Sequence, residues 1–327
     1  MHKRATFFGV ALLVLGAACG STAANDGSSS GDIDSGSGSQ LGFGPDDGGG
    51  VGDGRSPTSV KLYPELWYWV DQLLVHVELA ADGTIAKIQS SAISLEVDSG
   101  QSAITMLKDG TLLMSRLSKA DQKSYFFHVP NPPRDGSPLT PTPLGVMPGN
   151  IMIEGLYTDC EGRLYAMDTG SDDTNATGNR LLRFTGSVPA GDYTFTQVSD
   201  LASAATADID DMGPGIDAEN KIVDNPGLAI DTGHIWAFNF ETGNGNEVAQ
   251  AGTFGIHALG GSLFGDNRSR LYVMNDNAEL FELDPTTFAA SPSLGTGPKP
   301  AQGAAGWSSL AGPLTDCAQS GFVTQPK

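Results

Sequence analysis

The chain has 327 residues, of which 38 are acidic and 18 are basic, and its net charge at pH 7 is −20. A field of that sign repels phosphate backbones and argues against nucleic acid as a partner. Hydrophobic residues make up 39% of the chain and aromatic residues 8%, which is ordinary for a folded domain and argues against disorder outside a local segment.

Residues 1–18 have the organisation of a signal peptide, with a basic start, an apolar run over residues 5–15 and small residues before Cys19. Removing Lys3 and Arg4 with this segment leaves 16 basic residues and a net charge of −22. The small residues before Cys19 resemble the lipobox of bacterial lipoproteins, which implies that Cys19 is lipidated and becomes the mature N-terminus. A lipobox usually has leucine where Gly16 stands, so cleavage without lipidation is the alternative.

The predicted location of the protein is therefore the bacterial outer membrane or cell surface, or otherwise the periplasm or the medium. No later segment approaches the roughly 20 apolar residues that a membrane-spanning helix needs. Residues 19–58 are nearly all Gly, Ser and Asp, a composition that predicts a flexible linker after the lipidated cysteine. Residues 59–327 remain for the folded domain.

From residue 59 onward the chain shows short strand patterns separated by turns, and no helical stripe. The Asp-Gly pairs at 82–83 and 109–110 lie between such runs and predict hairpins. A loop over residues 130–148 is too rich in proline for a central strand. The predicted strands are 66–70, 73–79, 84–88, 103–107, 111–115, 124–129, 163–168, 180–184, 193–198, 227–230, 234–239, 270–275 and 279–284.

A repeated hairpin organises this pattern. The sequence Arg-Leu-Tyr-Ala-Met-Asp at 163–168 returns as Arg-Leu-Tyr-Val-Met-Asn at 270–275, each after an apolar run and a polar turn. Aligning the strand after each turn gives the marker positions Leu66, Leu112, Leu164, Ile235 and Leu271, with spacings of 46, 52, 71 and 36 residues.

The average marker spacing is close to that of a propeller blade. We predict an all-β fold, a β-propeller of roughly five to seven blades with six favoured, in which the 71-residue gap holds a degenerate blade. The tail after Pro300 either caps the ring or lends a strand to the first blade. A pair of irregular β-sandwiches is the alternative fold.

The hairpins resemble the blades of NHL and SMP-30/gluconolactonase-like six-bladed propellers. In the SMP-30-like lactonases a divalent ion is held at the mouth of the axis by Glu, Asn and Asp side chains. This resemblance implies a Ca²⁺ site at Glu154, Asp168, Asn239 and Asn275 that polarises a lactone carbonyl. The alternative is that Asp and Asn end these strands because they favour turns.

The densest acidic segment, residues 208–219, gives a second candidate Ca²⁺ site. Asp208, Asp210 and Glu219 fall at the first, third and twelfth positions of a twelve-residue calcium loop, and Gly213 falls at the sixth. Met212 stands where the fifth ligand belongs, so a solvated acidic loop is the alternative.

Two cysteines, Cys160 and Cys317, remain after Cys19. An oxidising cell envelope permits a disulfide between them. A ring of blades separates a middle repeat from the C-terminus unless a loop crosses, so two buried free thiols are the alternative.

The sequence favours a cell-envelope binding or scaffold protein whose ligand is a protein, a glycan or a small molecule, with a Ca²⁺-dependent hydrolase of the lactonase type as the alternative. Residues 59–327 contain no nucleophile-elbow sequence, phosphate-binding glycine loop or Cys-x-x-Cys. A sugar-binding face and the packing of blades are competing explanations for Trp67, Tyr68, Trp69, Trp236 and Trp307.

Overall fold

The structure, a computed structural model, describes residues 62–97, 100–169, 180–200, 209–231, 233–250, 256–265, 267–301, 308–314 and 316–317. The predicted signal peptide, Cys19 and the predicted linker lie outside these ranges. In the described part of the chain no helix is long and apolar enough to span a membrane.

The nineteen described strands form five antiparallel sheets, which we number as blades 1 to 5. Blade 1 comprises β1 (Glu65–Val70), β2 (Leu73–Leu79) and β3 (Ile85–Ala92). Blade 2 comprises β4 (Ser102–Met106), β5 (Leu112–Leu117), β6 (Ser124–Val129) and β7 (Thr142–Val146). Blade 3 comprises β8 (Ile153–Thr158), β9 (Leu164–Asp168), β10 (Arg180–Phe184) and β11 (Phe195–Asp200). Blade 4 comprises β12 (Asp211–Ile216), β13 (Ile222–Asp231), β14 (His234–Phe238) and β15 (Gly245–Gln250). Blade 5 comprises β16 (Ile256–Leu263), β17 (Ser269–Asn275), β18 (Glu279–Leu283) and β19 (Gly295–Thr296). A short 3₁₀ turn, Val188–Ala190, precedes β11.

The five blades close into a ring. Strand β4 contacts β8, β8 contacts β12, β12 contacts β16, and β1 contacts both β16 and β4. Five apolar clusters fill the spaces between neighbouring blades, one for each pair. Because both faces of a blade are covered, strands such as β1 and β9 are buried along their whole length and are apolar except for one acidic residue at an end of each. The all-β propeller prediction is confirmed, and the sandwich alternative is wrong.

The ring has five blades, so the favoured count of six is wrong. The error comes from one marker, Ile235, which lies on the third strand of blade 4. The markers in blades 2, 3 and 5 lie on the second strand of their blade, and Leu66 lies on β1. The equivalent strand of blade 4 is β13, which begins at Ile222. The 71-residue gap therefore contains no further blade.

The repeated hairpin is confirmed. Strands β8 and β9 pair in one copy, and β16 and β17 pair in the other. The turn of the first copy is fixed by Asp159, whose Oδ1 accepts hydrogen bonds from the backbone N–H groups of Glu161 and Arg163 at 3.0 and 2.8 Å. Asp217 makes the same two contacts with residues 219 and 221 in blade 4. The proline-rich segment supplies β7, the outermost strand of its blade, which agrees with its exclusion from central positions.

The C-terminal segment, residues 308–314, completes blade 1. Trp67 and Ala311 exchange both backbone hydrogen bonds of an antiparallel pair, at 2.6 and 2.8 Å. The Ser308 hydroxyl accepts from the Trp69 N–H at 2.6 Å. The segment runs along the axial edge of β1, so the first and last parts of the domain share one blade. Of the two roles predicted for the tail, the structure shows pairing with the first blade, through one β-bridge and not through a full strand.

A disulfide between Cys160 and Cys317 holds this segment, with their Cα atoms 5.1 Å apart. The geometric objection to a bridge between a middle blade and the C-terminus does not apply, because the C-terminal segment crosses the axis from blade 1 to blade 3. Ile222 of blade 4 also pairs with Cys317 through a β-bridge. The segment therefore links blades that are far apart in the sequence.

Candidate functional site

The two faces of the ring carry different parts of each blade. We call the face where β4, β8, β12 and β16 begin the upper face, and the face where they end the lower face. Since neighbouring strands are antiparallel, the second strand of a four-stranded blade ends at the upper face and its third strand ends at the lower face. This parity decides which of the predicted ligands can meet.

Glu154 and Asp168 are brought together at the upper end of blade 3. The pairing of β8 with β9 shifts register between Ile153 and Gly155, so Glu154 is the extra residue of a β-bulge. Bulges of this kind redirect a side chain and are common near binding and catalytic sites. Both carboxylates are almost fully buried.

Each of these carboxylates already has hydrogen-bond partners within the blade. The Thr169 hydroxyl donates to Glu154 Oε2. Asp168 Oδ1 accepts from the Met152 N–H at 2.8 Å, and its Oδ2 accepts from the Arg180 guanidinium. Burial raises the pKa of Asp168, and the contacts with Met152 and Arg180 only partly offset that effect. A buried carboxyl with a raised pKa is the kind of group found at functional sites.

The other two predicted axial ligands lie elsewhere. Asn275 ends β17 in blade 5, at the upper face, where its Oδ1 accepts from the backbone N–H groups of Asn277 and Glu279. Asn239 follows the third strand of blade 4 and so lies at the lower face, where it accepts from the N–H groups of residues 241 and 242. The prediction that these residues close equivalent strands is wrong for Asn239. The side-chain oxygen of each asparagine therefore accepts backbone hydrogen bonds within a turn.

The predicted calcium loop is a strand. Asp208 lies outside the described residues, and residues 211–216 form the buried strand β12. This strand separates Asp210 from Glu219 by roughly 17 to 20 Å, so these two carboxylates cannot bind one ion. In the described ranges no three His, Cys, Asp or Glu side chains are grouped as a metal site needs. The residues described do not fit the implied calcium ion at either location.

Asp211 is the buried carboxyl that the sequence did not single out. Its side chain is inaccessible to solvent. Oδ1 accepts from the Met212 N–H at 2.7 Å, and Oδ2 accepts from the N–H groups of Leu259 at 2.8 Å and Leu310 at 3.1 Å. Burial raises the pKa of Asp211 well above its usual range, although the three N–H donors act in the opposite direction. This one side chain joins blade 4, blade 5 and the C-terminal segment.

A second polar cluster lies at the lower face between blades 1 and 2 and consists of the buried Glu65 and His76 with the partly exposed Arg134. Arg134 Nε and Nη2 donate to the two oxygens of Glu65 at 2.7 and 2.6 Å, and His76 Nε2 is 3.0 Å from Glu65 Oε2. Burial raises the pKa of Glu65, but the hydrogen bonds with His76 and Arg134 outweigh it and the pKa is lowered. The loop that carries Arg134 thus ties blade 2 to blade 1.

The tryptophans divide into buried and surface positions. Trp67, Tyr68 and Trp69 are completely buried between blades, so packing explains them. Trp236 on β14 is only half-buried. Trp307 lies outside the described residues.

No protein-family model matches the chain, and no curated protein matches it. Solved structures with a similar fold include a chain of a nidogen/laminin complex, with 12% identity and a TM-score of 0.44 over 77% of this chain and 99% of that one. Virginiamycin B lyase from Staphylococcus aureus has 13% identity and a TM-score of 0.36 over 70% and 69% of the two chains. An auxiliary nutrient binding protein from Bacteroides thetaiotaomicron has 11% identity and a TM-score of 0.39 over 71% and 57%. Similarities at this level carry no functional argument.

Proposed function

We propose that this chain is a binding or scaffold lipoprotein of the bacterial cell envelope, tethered through Cys19 and the linker, with the propeller as its working domain. The observation that carries the proposal is the closure of the ring. The C-terminal segment is hydrogen-bonded along β1, held by Asp211 and bonded covalently to blade 3. A ring closed in this way is a rigid platform that can present loops and strand edges to a partner.

The tether itself is tested by changing Cys19. If Cys19 is lipidated, the full chain expressed in a bacterium enters the detergent phase on Triton X-114 partition, and Cys19→Ser moves it to the aqueous phase. The propeller lacks Cys19, so the variant keeps the same thermal unfolding midpoint. Equal partition of the two proteins would show that cleavage occurs without lipid and would remove the tether from the proposal.

The alternative function, a calcium-dependent hydrolase, is tested at Glu154 and Asp168, which lie in one hairpin at the upper end of blade 3. Thr169 and Arg180 occupy their oxygens, and Asn239 lies on the other face, so we expect no metal-dependent turnover. The measurement is the hydrolysis of a γ-lactone and a δ-lactone by the wild type with Ca²⁺ and with EDTA. Turnover that EDTA abolishes, and that Glu154→Gln also abolishes, would favour the enzyme over the binding module.

A further inference from the structure

We propose that blade 4 carries a binding patch for a neutral saccharide, formed by His234, Trp236, Glu247 and Gln250. The inference rests on the proposed function and names a ligand class for it. The pairing of β14 with β15 places the four residues together, because Trp236 lies opposite Glu247 and His234 lies opposite Gln250. Residues that face each other across an antiparallel pair, and those two apart on a strand, share one face of the sheet.

A bulge brings the acidic residue to its position. The register shifts between Ile235 and Trp236, so the partner strand passes from Ala249 to Glu247 and leaves Val248 as the extra residue. Val248 is 40% exposed, which is the highest exposure of a large hydrophobic residue in the described ranges. Without this extra residue, strand alternation would turn Glu247 to the other face, away from Trp236.

Trp236 supplies an apolar surface. Its Nε1 atom is buried and has no hydrogen-bond partner in the described part of the chain, although the residue as a whole is half-buried. The exposed part of the indole is therefore ring carbon. Trp67 and Trp69, in contrast, have no exposed surface. A flat aromatic surface flanked by polar groups matches the C–H face of a pyranose ring, which is apolar, while the hydroxyl groups of the sugar point outward.

The polar groups around Trp236 are held by each other. His234 Nδ1 is 2.9 Å from Glu247 Oε1, and Gln250 Nε2 lies 3.3 Å from the imidazole and 3.4 Å from the carboxylate. The His234 and Glu247 side chains are 43% and 40% exposed. The hydrogen bond from His234 lowers the pKa of Glu247, so its carboxylate is ionised at neutral pH.

The side chains of His234, Glu247 and Gln250 each have a polar atom that is available to a ligand. Among the described residues, the second oxygen of Glu247, His234 Nε2 and the amide oxygen of Gln250 have no hydrogen-bond partner. With the Nδ1–H of the neutral imidazole donated to Glu247, these three atoms are acceptors, and the second N–H of the Gln250 amide is a donor. The patch therefore offers both kinds of partner that sugar hydroxyl groups require. The carboxylate and the net charge of −20 disfavour anionic polysaccharides. A neutral saccharide is the ligand class that satisfies the ring, the polar groups and the charge together.

The test is isothermal titration of the mature chain with maltohexaose, cellohexaose, chitohexaose and the acidic hexamer of galacturonic acid. We expect at least one neutral hexasaccharide to bind, and Trp236→Ala to weaken that binding by about tenfold or more, a difference of about 1.4 kcal/mol. Trp236→Phe keeps part of the aromatic surface and should fall between the two. Glu247→Ala tests the polar side independently. Glu219→Ala removes an exposed carboxylate of the same blade outside the patch and is the matched control that should bind like the wild type.

Thermal unfolding of each variant shows whether a loss of binding reflects a loss of folding, which matters because Trp236 packs against the core between blades 3 and 4. The patch is overturned if no neutral hexasaccharide binds at millimolar concentration, if Trp236→Ala and Glu247→Ala both bind like the wild type, or if the acidic hexamer binds best. If only the saccharide proposal is wrong, the wild type still enters the detergent phase and Cys19→Ser does not. If the proposed tether is wrong, the wild type and Cys19→Ser partition equally.

Discussion

Replacing both Cys160 and Cys317 by serine is expected to lower the free energy of unfolding by about 3 to 5 kcal/mol. The disulfide spans a sequence separation of 157 residues, and a crosslink of that length removes much conformational freedom from the unfolded chain. It also fixes the C-terminal segment across the axis, so its loss frees the segment to leave blade 1. Urea unfolding of the mature domain under non-reducing conditions measures the effect.

Two comparisons make this result specific. Wild-type protein in a reducing agent should unfold like the double serine variant, because both lack the crosslink. The five apolar clusters between the blades remain in both, and Asp211 and the pairing of Trp67 with Ala311 still hold the C-terminal segment, so neither is expected to be fully unfolded at 25 °C. A double variant as stable as the wild type, or two titratable thiols in the untreated domain, would contradict the crosslink.

The blade number could not be obtained from the sequence because the first strand of blade 4 and the first half of its second strand do not have strand-like sequences. Strand β12 includes Gly213, Pro214 and Gly215, which are poor strand formers, and β13 has Pro226 in its interior. The reason for the glycines is close approach. A Cβ atom on Gly215 would lie 2.1 Å from the Pro226 carbonyl oxygen, and one on Gly213 would lie 3.0 Å from the Leu259 side chain. Tertiary packing selects these residues against their local preference.

The candidate site could be predicted only in part. Glu154 and Asp168 belong to one hairpin, so their proximity follows from local pairing that the repeated pattern already indicated. Asn239 has the same local context of a strand end before a turn, but its face depends on how many strands precede it in the blade. If the hairpin before Asn239 is taken for the first hairpin of its blade, Asn239 is predicted to lie on the wrong face.

The role of the C-terminal segment was the least predictable feature. Ser309, for example, accepts a hydrogen bond from the Ile104 N–H at a separation of 205 residues, and Asp211 accepts one from Leu310 across 99 residues. Neither contact produces a periodic pattern in the sequence, because the C-terminal segment contacts several blades at one point each. Within the acidic run 208–219, Asp211 is distinguished only by its burial, and that burial depends on residues from the other end of the domain.

Asp211→Ala is therefore expected to lower the free energy of unfolding by about 2 to 5 kcal/mol, since removal of the carboxylate leaves the buried N–H groups of Met212, Leu259 and Leu310 without their acceptor. Glu219→Ala is the matched control, because this acidic residue of the same run is exposed. Its effect should stay within about 0.5 kcal/mol. Urea unfolding at constant pH measures both, and a loss no larger than that of the control would remove Asp211 from the closure of the ring.

The pH dependence of the same residue has a definite sign. Burial favours the neutral carboxyl of Asp211 in the folded state, so its pKa is higher there than in the unfolded chain. The stabilisation from this difference is complete below the unfolded value of about 4 and is lost as the pH rises through the folded value. The neighbouring Asp210 carboxylate raises the pKa of Asp211 further. Asp211→Asn removes this titration, so the stability of the wild type relative to Asp211→Asn should fall as the pH increases from 4. Parallel stability curves for the two proteins would mean that Asp211 has the same pKa in the folded and unfolded chains and that the three N–H donors fully offset its burial.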